Sequence, residues 1–209
     1  MFALYGACAF SLLCLKWISP WTTAVQTERR VDALLHRRPY SKQYRFVPMR
    51  QISPELQHAV IASEDERFRQ HSGIDWIELE KVLEDDLRKH GKLTRGASTI
   101  SQQLVKNLYL STSRSGVRKV LEFAIVPLAE AILGKDRILE LYLNVIEWGP
   151  GVFGAEAASR AYYGIPAARL NRDEAARLAA CIPAPSRRRP AAMGGYAQLI
   201  ELRMRQMGF

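Results

Sequence analysis

Cysteine is nearly missing from this chain: its 209 residues hold three, Cys8, Cys14 and Cys181. Two fall in an apolar N-terminal run and one in an expected core helix, none at metal-ligand spacing, so no disulfide framework is implied. Acidic residues are the minority, 21 against 30 Lys and Arg, which leaves a net charge of +9. Such an excess suits a polyanion: nucleic acid, an anionic membrane surface or a phosphate-bearing substrate. Aromatics are sparse and are not interleaved with the basic residues, which argues against a nucleic-acid binder. Strand-like alternation is scarce and there is no internal repeat. What is present is globular in composition, 48% hydrophobic and 24% charged, and a disordered tail is excluded.

Long hydrophobic runs are also lacking, with one partial exception. Phe2 to Leu15 is uncharged, and fourteen helical residues rise about 21 Å, short of the roughly 30 Å hydrocarbon core of a bilayer. Lys16 can snorkel, Trp17 suits the interface, and Pro20 stops the helix. A single membrane anchor over residues 1–19 is the expectation, with a signal peptide or a buried helix as the alternatives. Arg29, Arg30, Arg37, Arg38 and Lys42 follow this segment and no basic residue precedes it. The positive-inside rule would then put the remainder in the cytoplasm, unless the rule is overridden or a basic segment lies upstream. Residues 20–45 read as a polar, arginine-rich connector, and 46–209 as one mainly α domain. Its helical runs are expected at 54–69, 75–90, 98–110, 116–133, 135–146, 151–162 and 171–182, punctuated by Gly91, Gly96, Gly134, Gly149 and Gly164.

Three segments carry candidate chemistry. On a helix, Val60, Glu64 and Phe68 stack at i, i+4 and i+8, so Glu64 intrudes on the stripe that faces the core. A carboxylate there loses hydration and its pKa rises, which suits a general base near neutral pH. A Glu bonding a nearby backbone group or arginine reads as well from this segment alone. Asp65 and Glu66 are expected to point elsewhere, toward solvent. In the second segment Ile100, Leu104 and Leu108 form an apolar stripe, while Ser98, Gln102 and Lys106 form a polar one on the opposite side. With Gly96 ahead of the helix N-terminus this suggests a phosphate or sugar cradle, against an ordinary amphipathic surface helix. In the third, Arg114, Arg118 and Lys119 precede Glu122. Arg118 and Lys119 are its i−4 and i−3 neighbours, as in a surface salt bridge, but Phe123-Ala124-Ile125-Val126 brings Glu122 near buried ground. Pro127 is expected to kink the helix or remove a hydrogen bond.

Together these segments resemble the peptidoglycan glycosyltransferases. Five family blocks occur in order: Glu64-Asp65-x-x-Phe68-x-x-His71-x-Gly73-x-Asp75; Gly96-Ala97-Ser98-Thr99-Ile100-Ser101-Gln102-Gln103-Leu104-x-Lys106-Asn107; Arg118-Lys119-x-x-Glu122; Ile138-Leu139-Glu140-x-Tyr142-Leu143-Asn144, running on to Gly149 and Gly151-Val152-Phe153-Gly154; and Glu174-Ala175-Ala176-x-Leu178-Ala179-Ala180 with Pro183 and Pro185. Ala97, Ser101 and Leu121 stand where the family usually carries glycine, threonine and often lysine.

The resemblance implies a lysozyme-like glycosyltransferase domain, mainly α, behind a single N-terminal transmembrane helix. With no transpeptidase domain after Phe209, the monofunctional form is expected. It implies lipid II and a growing lipid-linked glycan as substrates, and a β-1,4 glycan strand made with inversion. Glu64 is then the base that takes a proton from the acceptor hydroxyl. Lys106, Arg114, Arg118 and Lys119 neutralise the leaving pyrophosphate. Glu122 orients those cations or holds a divalent ion, Mg or Mn, and no organic cofactor is implied. Ser98, Thr99, Gln102, Gln103 and Asn107 hold sugars and phosphates. The implied setting is the outer side of the cytoplasmic (inner) membrane, with other cell-wall synthesis or division proteins as further partners. A lysozyme-like glycan-cleaving enzyme and an inactive scaffold of a cell-wall complex are the competing readings.

Overall fold

The computed structural model describes residues 2–88, 98–112 and 115–209. Helix α1, Phe2–Leu15, is followed by α2, Ala24–Leu35, and a short strand β1, Gln43–Tyr44. Then come α3, Pro54–Glu64; α4, Trp76–Arg88; α5, Ile100–Tyr109; and the long α6, Gly116–Val145. Strands β2, Glu147–Gly149, and β3, Val152–Phe153, lead into α7, Ala155–Tyr163; α8, Arg172–Ala179; and α9, Gly194–Gln206.

Local chemistry accounts for the boundaries. Ser53 caps α3, its hydroxyl accepting the Glu55 N–H at 3.2 Å, with Pro54 in the first turn where its missing N–H costs nothing. Helix α6 begins at Ser115, which accepts the Arg118 N–H. It carries Pro127, but its one non-helical residue is Gly134, at φ 73° and ψ 164°. The break thus falls at Gly134, where the runs 116–133 and 135–146 were expected to meet, while Pro127, expected to kink the helix, keeps helical backbone angles. A positive φ is open to glycine and strained for other residues, so α6 is two helices joined end to end.

The core is built by α5 against α6, by α3 against α8 and α9, and by α1 against α6. Ile100, Leu104 and Leu108 of the predicted apolar stripe are all buried. Trp148, Tyr142, Phe68 and Phe153 are the largest fully buried side chains. The small sheet has the order β1-β3-β2, with β1 parallel and β2 antiparallel to β3. At Gly154, φ 84°, a Cβ would lie 2.5 Å from the Asn144 carbonyl oxygen, so the chain leaves the sheet for α7 by a route closed to other residues. Asn144 itself ties α6 to the segment before α3: Val47 N–H donates to its Oδ1 at 2.9 Å, and its Nδ2 donates to the Val47 carbonyl at 2.9 Å.

Residues 20–45, expected as a connector, are packed into the domain. Helix α2 lies on α5, and Glu28 accepts both the N–H and the hydroxyl of Thr112. Strand β1 completes the sheet through Gln43 opposite Val152. Helix α9 was not expected either, and the segment ahead of α3 contains a 3-10 turn at Met49–Gln51.

Helix α1 is docked on α6 rather than free. Cys8, Leu12 and Leu15 are buried, and the Tyr5 hydroxyl donates to the Ala124 carbonyl at 3.4 Å. Its C-terminal end is gripped by Arg137, whose Nε donates to the Leu15 carbonyl at 2.8 Å and whose Nη2 donates to the Ile18 carbonyl at 3.1 Å. Among the described residues no helix is long and apolar enough to cross a membrane.

Candidate active site

Glu64 ends α3, and the chain turns sharply after it. Asp65 has φ −163° and ψ 75°, which swings its carboxylate inward and corrects the expectation that it is solvated; Glu66 is exposed as expected. Asp65 accepts the Ile100 N–H at 3.0 Å and the His71 Nε2 at 2.9 Å. The Gly73 N–H donates to His71 Nδ1 at 3.1 Å, which fixes the proton of this imidazole on Nε2 and makes it the donor to Asp65. The Thr99 hydroxyl donates to the Gly73 carbonyl at 2.6 Å and closes the ring. This bracket of Asp65, His71, Gly73 and Thr99 fastens the end of α3 to the start of α5. Asp65, His71 and Asp75 bring three potential metal-ligand atoms together. The His71 nitrogens are both engaged, however, and Asp75 caps Glu78 and pairs with Arg67. The trio is a structural clamp.

The bracket sets Glu64 opposite α5. Gln103 Nε2 donates to Glu64 Oε2 at 2.8 Å. Burial raises the Glu64 pKa; the Gln103 hydrogen bond and the charges of Lys106 and Arg188 oppose the rise, and Asp65 adds to it. Glu64 lines a cleft of about 390 Å³ together with Ser63, Ser98, Gln103, Arg188 and Tyr196. Arg188 is held there by donation to the Ala180 carbonyl at 2.7 Å and lies over the Tyr196 ring. Sequence reasoning missed it, because a turn between Pro183 and Pro190 has no periodicity to point one arginine among three into a cleft.

A cation cluster adjoins this cleft. Glu122 is buried; its Oε2 accepts from Arg118 at 2.9 Å and its Oε1 from Lys119 at 2.5 Å. Lys119 also donates to the Ser98 hydroxyl at 3.4 Å, so Ser98 joins the cluster to the cleft. Lys106 lies within the field of both Glu64 and Glu122, and burial lowers its pKa while those carboxylates oppose the drop. Both Glu122 oxygens are taken by cations. Each oxygen keeps a free lone pair, but a divalent ion here would stand beside two positive charges, so the contacts present fit cation orientation better than metal ligation.

The predicted site residues divide accordingly. Glu64, Ser98, Gln103, Lys106, Arg118, Lys119 and Glu122 converge. Thr99 and Gln102 turn inward as a capping box: the Thr99 N–H donates to Gln102 Oε1 at 3.0 Å and the Gln102 N–H to Thr99 Oγ1 at 3.2 Å. Asn107 donates back to the Gln103 carbonyl at 2.8 Å. Arg114, with Gly96 and Ala97 of the second block, lies outside the described residues.

A half-buried carboxylate facing a cleft can accept a proton, while the fixed cations beside it stabilise an anion. Comparisons with known proteins agree with that chemistry. A family model described as transglycosylase matches residues 31–207. A biosynthetic peptidoglycan transglycosylase of Laribacter hongkongensis is 46% identical over 186 residues, covering 88% of this chain and 81% of its own length. Proteins of the same name from Azoarcus sp. and Neisseria meningitidis serogroup C are 52% and 48% identical, over 75% and 84% of this chain and 68% and 75% of theirs. With the family model covering most of its length and relatives of 46–52% identity covering three quarters of it or more, this chain belongs to the transglycosylase family.

Proposed function

We propose that the chain is a peptidoglycan glycosyltransferase that polymerises lipid II into β-1,4-linked glycan in cell-wall synthesis. One observation carries the reading: Glu64 is held as a hydrogen-bond acceptor at the cleft while the cations around Glu122 stand immediately beyond Ser98. The acceptor 4-hydroxyl attacks the anomeric carbon of the donor sugar. The new C–O bond forms as the bond to the lipid pyrophosphate breaks, with inversion. The hydroxyl proton passes to Glu64, and the electron pair leaves with the pyrophosphate. Such a leaving group needs positive charge and no proton, and Lys106, Arg118 and Lys119 supply it. Glu122 keeps Arg118 and Lys119 aligned.

The substrate's lipid places the enzyme at a membrane, and we assign the domain to the outer face of the cytoplasmic membrane. Supporting this, Phe10, Leu13, Trp17, Ile18 and Trp21 are exposed along and just beyond α1, and Val117 and Val120 are exposed beside the cations of α6. Aromatic and aliphatic groups of this kind enter the headgroup region with basic residues beside them.

Incubation of purified wild type, Glu64→Gln and Glu122→Gln proteins with lipid II tests the reading. Wild type yields polymer, the first variant loses nearly all activity, and the second is severely impaired. Shortening of added glycan without polymer would identify a hydrolase, and wild-type rates in Glu64→Gln would refute the base.

A further inference from the structure

The Glu64 contact with Gln103 has a second layer. Gln103 Nε2 faces Glu64 Oε2 at 2.8 Å and the Ser98 carbonyl at 3.4 Å, while its Oε1 accepts from the Tyr142 hydroxyl at 2.8 Å. A carboxamide can be turned two ways. Turned as here, it offers N–H to Glu64, which suits a carboxylate that is free to take a proton. Turned over, it offers a carbonyl oxygen, which only a protonated carboxyl could meet. The Ser98 carbonyl accepts and cannot donate, so it favours the first orientation. Tyr142 supplies the donor that this orientation requires at Oε1, where an unpaired buried oxygen would otherwise remain.

We propose that Tyr142 is a positioning residue for the reaction, holding the Gln103 amide turned so that Glu64 stays an open proton acceptor. The proposal rests on Glu64 being the base. Tyr142 is fully buried on the second half of α6. Its burial, with the charges of Glu64 and Asp65, drives its pKa well up, so the phenol keeps its proton and remains a donor. The groups that bear on Glu64 come from every side: Gln103 and Lys106 from α5, Arg188 from the turn after α8, Tyr142 from α6 and Asp65 from its own element. The Gln103 hydrogen bond acts with the charges of Lys106 and Arg188 to keep the carboxylate ionised, and it is the one of the three that depends on how an amide is turned.

The experiment measures kcat and KM for lipid II polymerisation against pH in wild type, Tyr142→Phe, Gln103→Met and the double variant, with Glu64→Gln as control. Tyr142→Phe removes one oxygen and keeps the ring. Its acidic limb in kcat is expected to move up by about half to one pH unit, with activity recovering at higher pH and KM little changed. Gln103→Met is expected to move the limb further, and adding Tyr142→Phe to it is expected to move it no more, because the path is already cut. A Tyr142→Phe rate lowered equally at every pH, an unmoved limb, or additive shifts in the double variant would each overturn the proposal. Substantial polymerisation by Glu64→Gln would instead remove the base on which it rests.

Discussion

At the scale of single residues, the site depends on two half-buried, largely desolvated charges of opposite sign. Glu64 is made basic by loss of water. Lys106 loses water too, and its pKa falls from the ordinary lysine value. A lysine with a depressed pKa gives up its charge at lower pH, so the rate should fall as pH rises through that pKa. Arginine keeps its charge across this range. Lys106→Arg should therefore hold its relative activity further into the alkaline range than wild type, even if its geometry lowers the maximum several-fold. Rate profiles on lipid II check this, and an alkaline limb unchanged by the substitution would assign it to another group. The inward placement of Glu64 was legible from its i+4 spacing to Val60, but Phe68, expected one turn further on the same stripe, lies beyond the end of α3. The inward turn of Asp65 was not: it follows from backbone angles outside the helix, where helical periodicity no longer says which way a side chain points. Tyr142 sat in a recognised block without a role, although a tyrosine at a core position must find a partner for its hydroxyl.

Among the elements, the start of α5 shows why residue type alone misled. Ser, Thr and Gln in a row suggested sugar and phosphate contacts, yet Thr99 and Gln102 cap their own helix while Gln103, one position on, reaches Glu64. The capping box signature, Thr followed three residues later by Gln, was in the sequence and distinguishes the two glutamines. Thr99→Ala removes the cap together with the tie to Gly73. It should lower stability by about 2 kcal/mol, seen as a shifted urea midpoint, and should slow polymerisation because α5 carries Gln103 and Lys106. A loss of rate with an unshifted midpoint would instead put the hydroxyl on substrate. The positions of most helices were readable from the apolar period and the glycines. Helix α2 was not, because it buries only Val25, Gln26 and Ala33 and leaves Leu34 and Leu35 exposed. The strands were too short for alternation to register.

For the molecule as a whole, the N-terminal helix and the catalytic domain form one packed body, since α1 lies on α6 and Arg137 holds its end. The apolar groups left outside, Trp17 and Trp21 foremost, face away from that packing. Trp17→Ser combined with Trp21→Ser should cut association with anionic phospholipid vesicles several-fold, because each loses an interfacial aromatic. Thermal stability should hold within about 0.5 kcal/mol, as expected of exposed positions. Sedimentation with vesicles measures the first and a melting curve the second. Unaltered sedimentation would place the lipid-facing surface elsewhere.

The glycine that breaks α6 also partitions the chemistry. Arg118, Lys119 and Glu122 lie before Gly134, and Tyr142, which steadies the base through Gln103, lies after it. Departure of the pyrophosphate and uptake of the proton are thus served by two rods that meet at a single joint. A Cβ at this joint would touch nothing within 4 Å, so only backbone conformation constrains the residue there. The angle between the rods sets how far apart the enzyme holds the two ends of one displacement reaction.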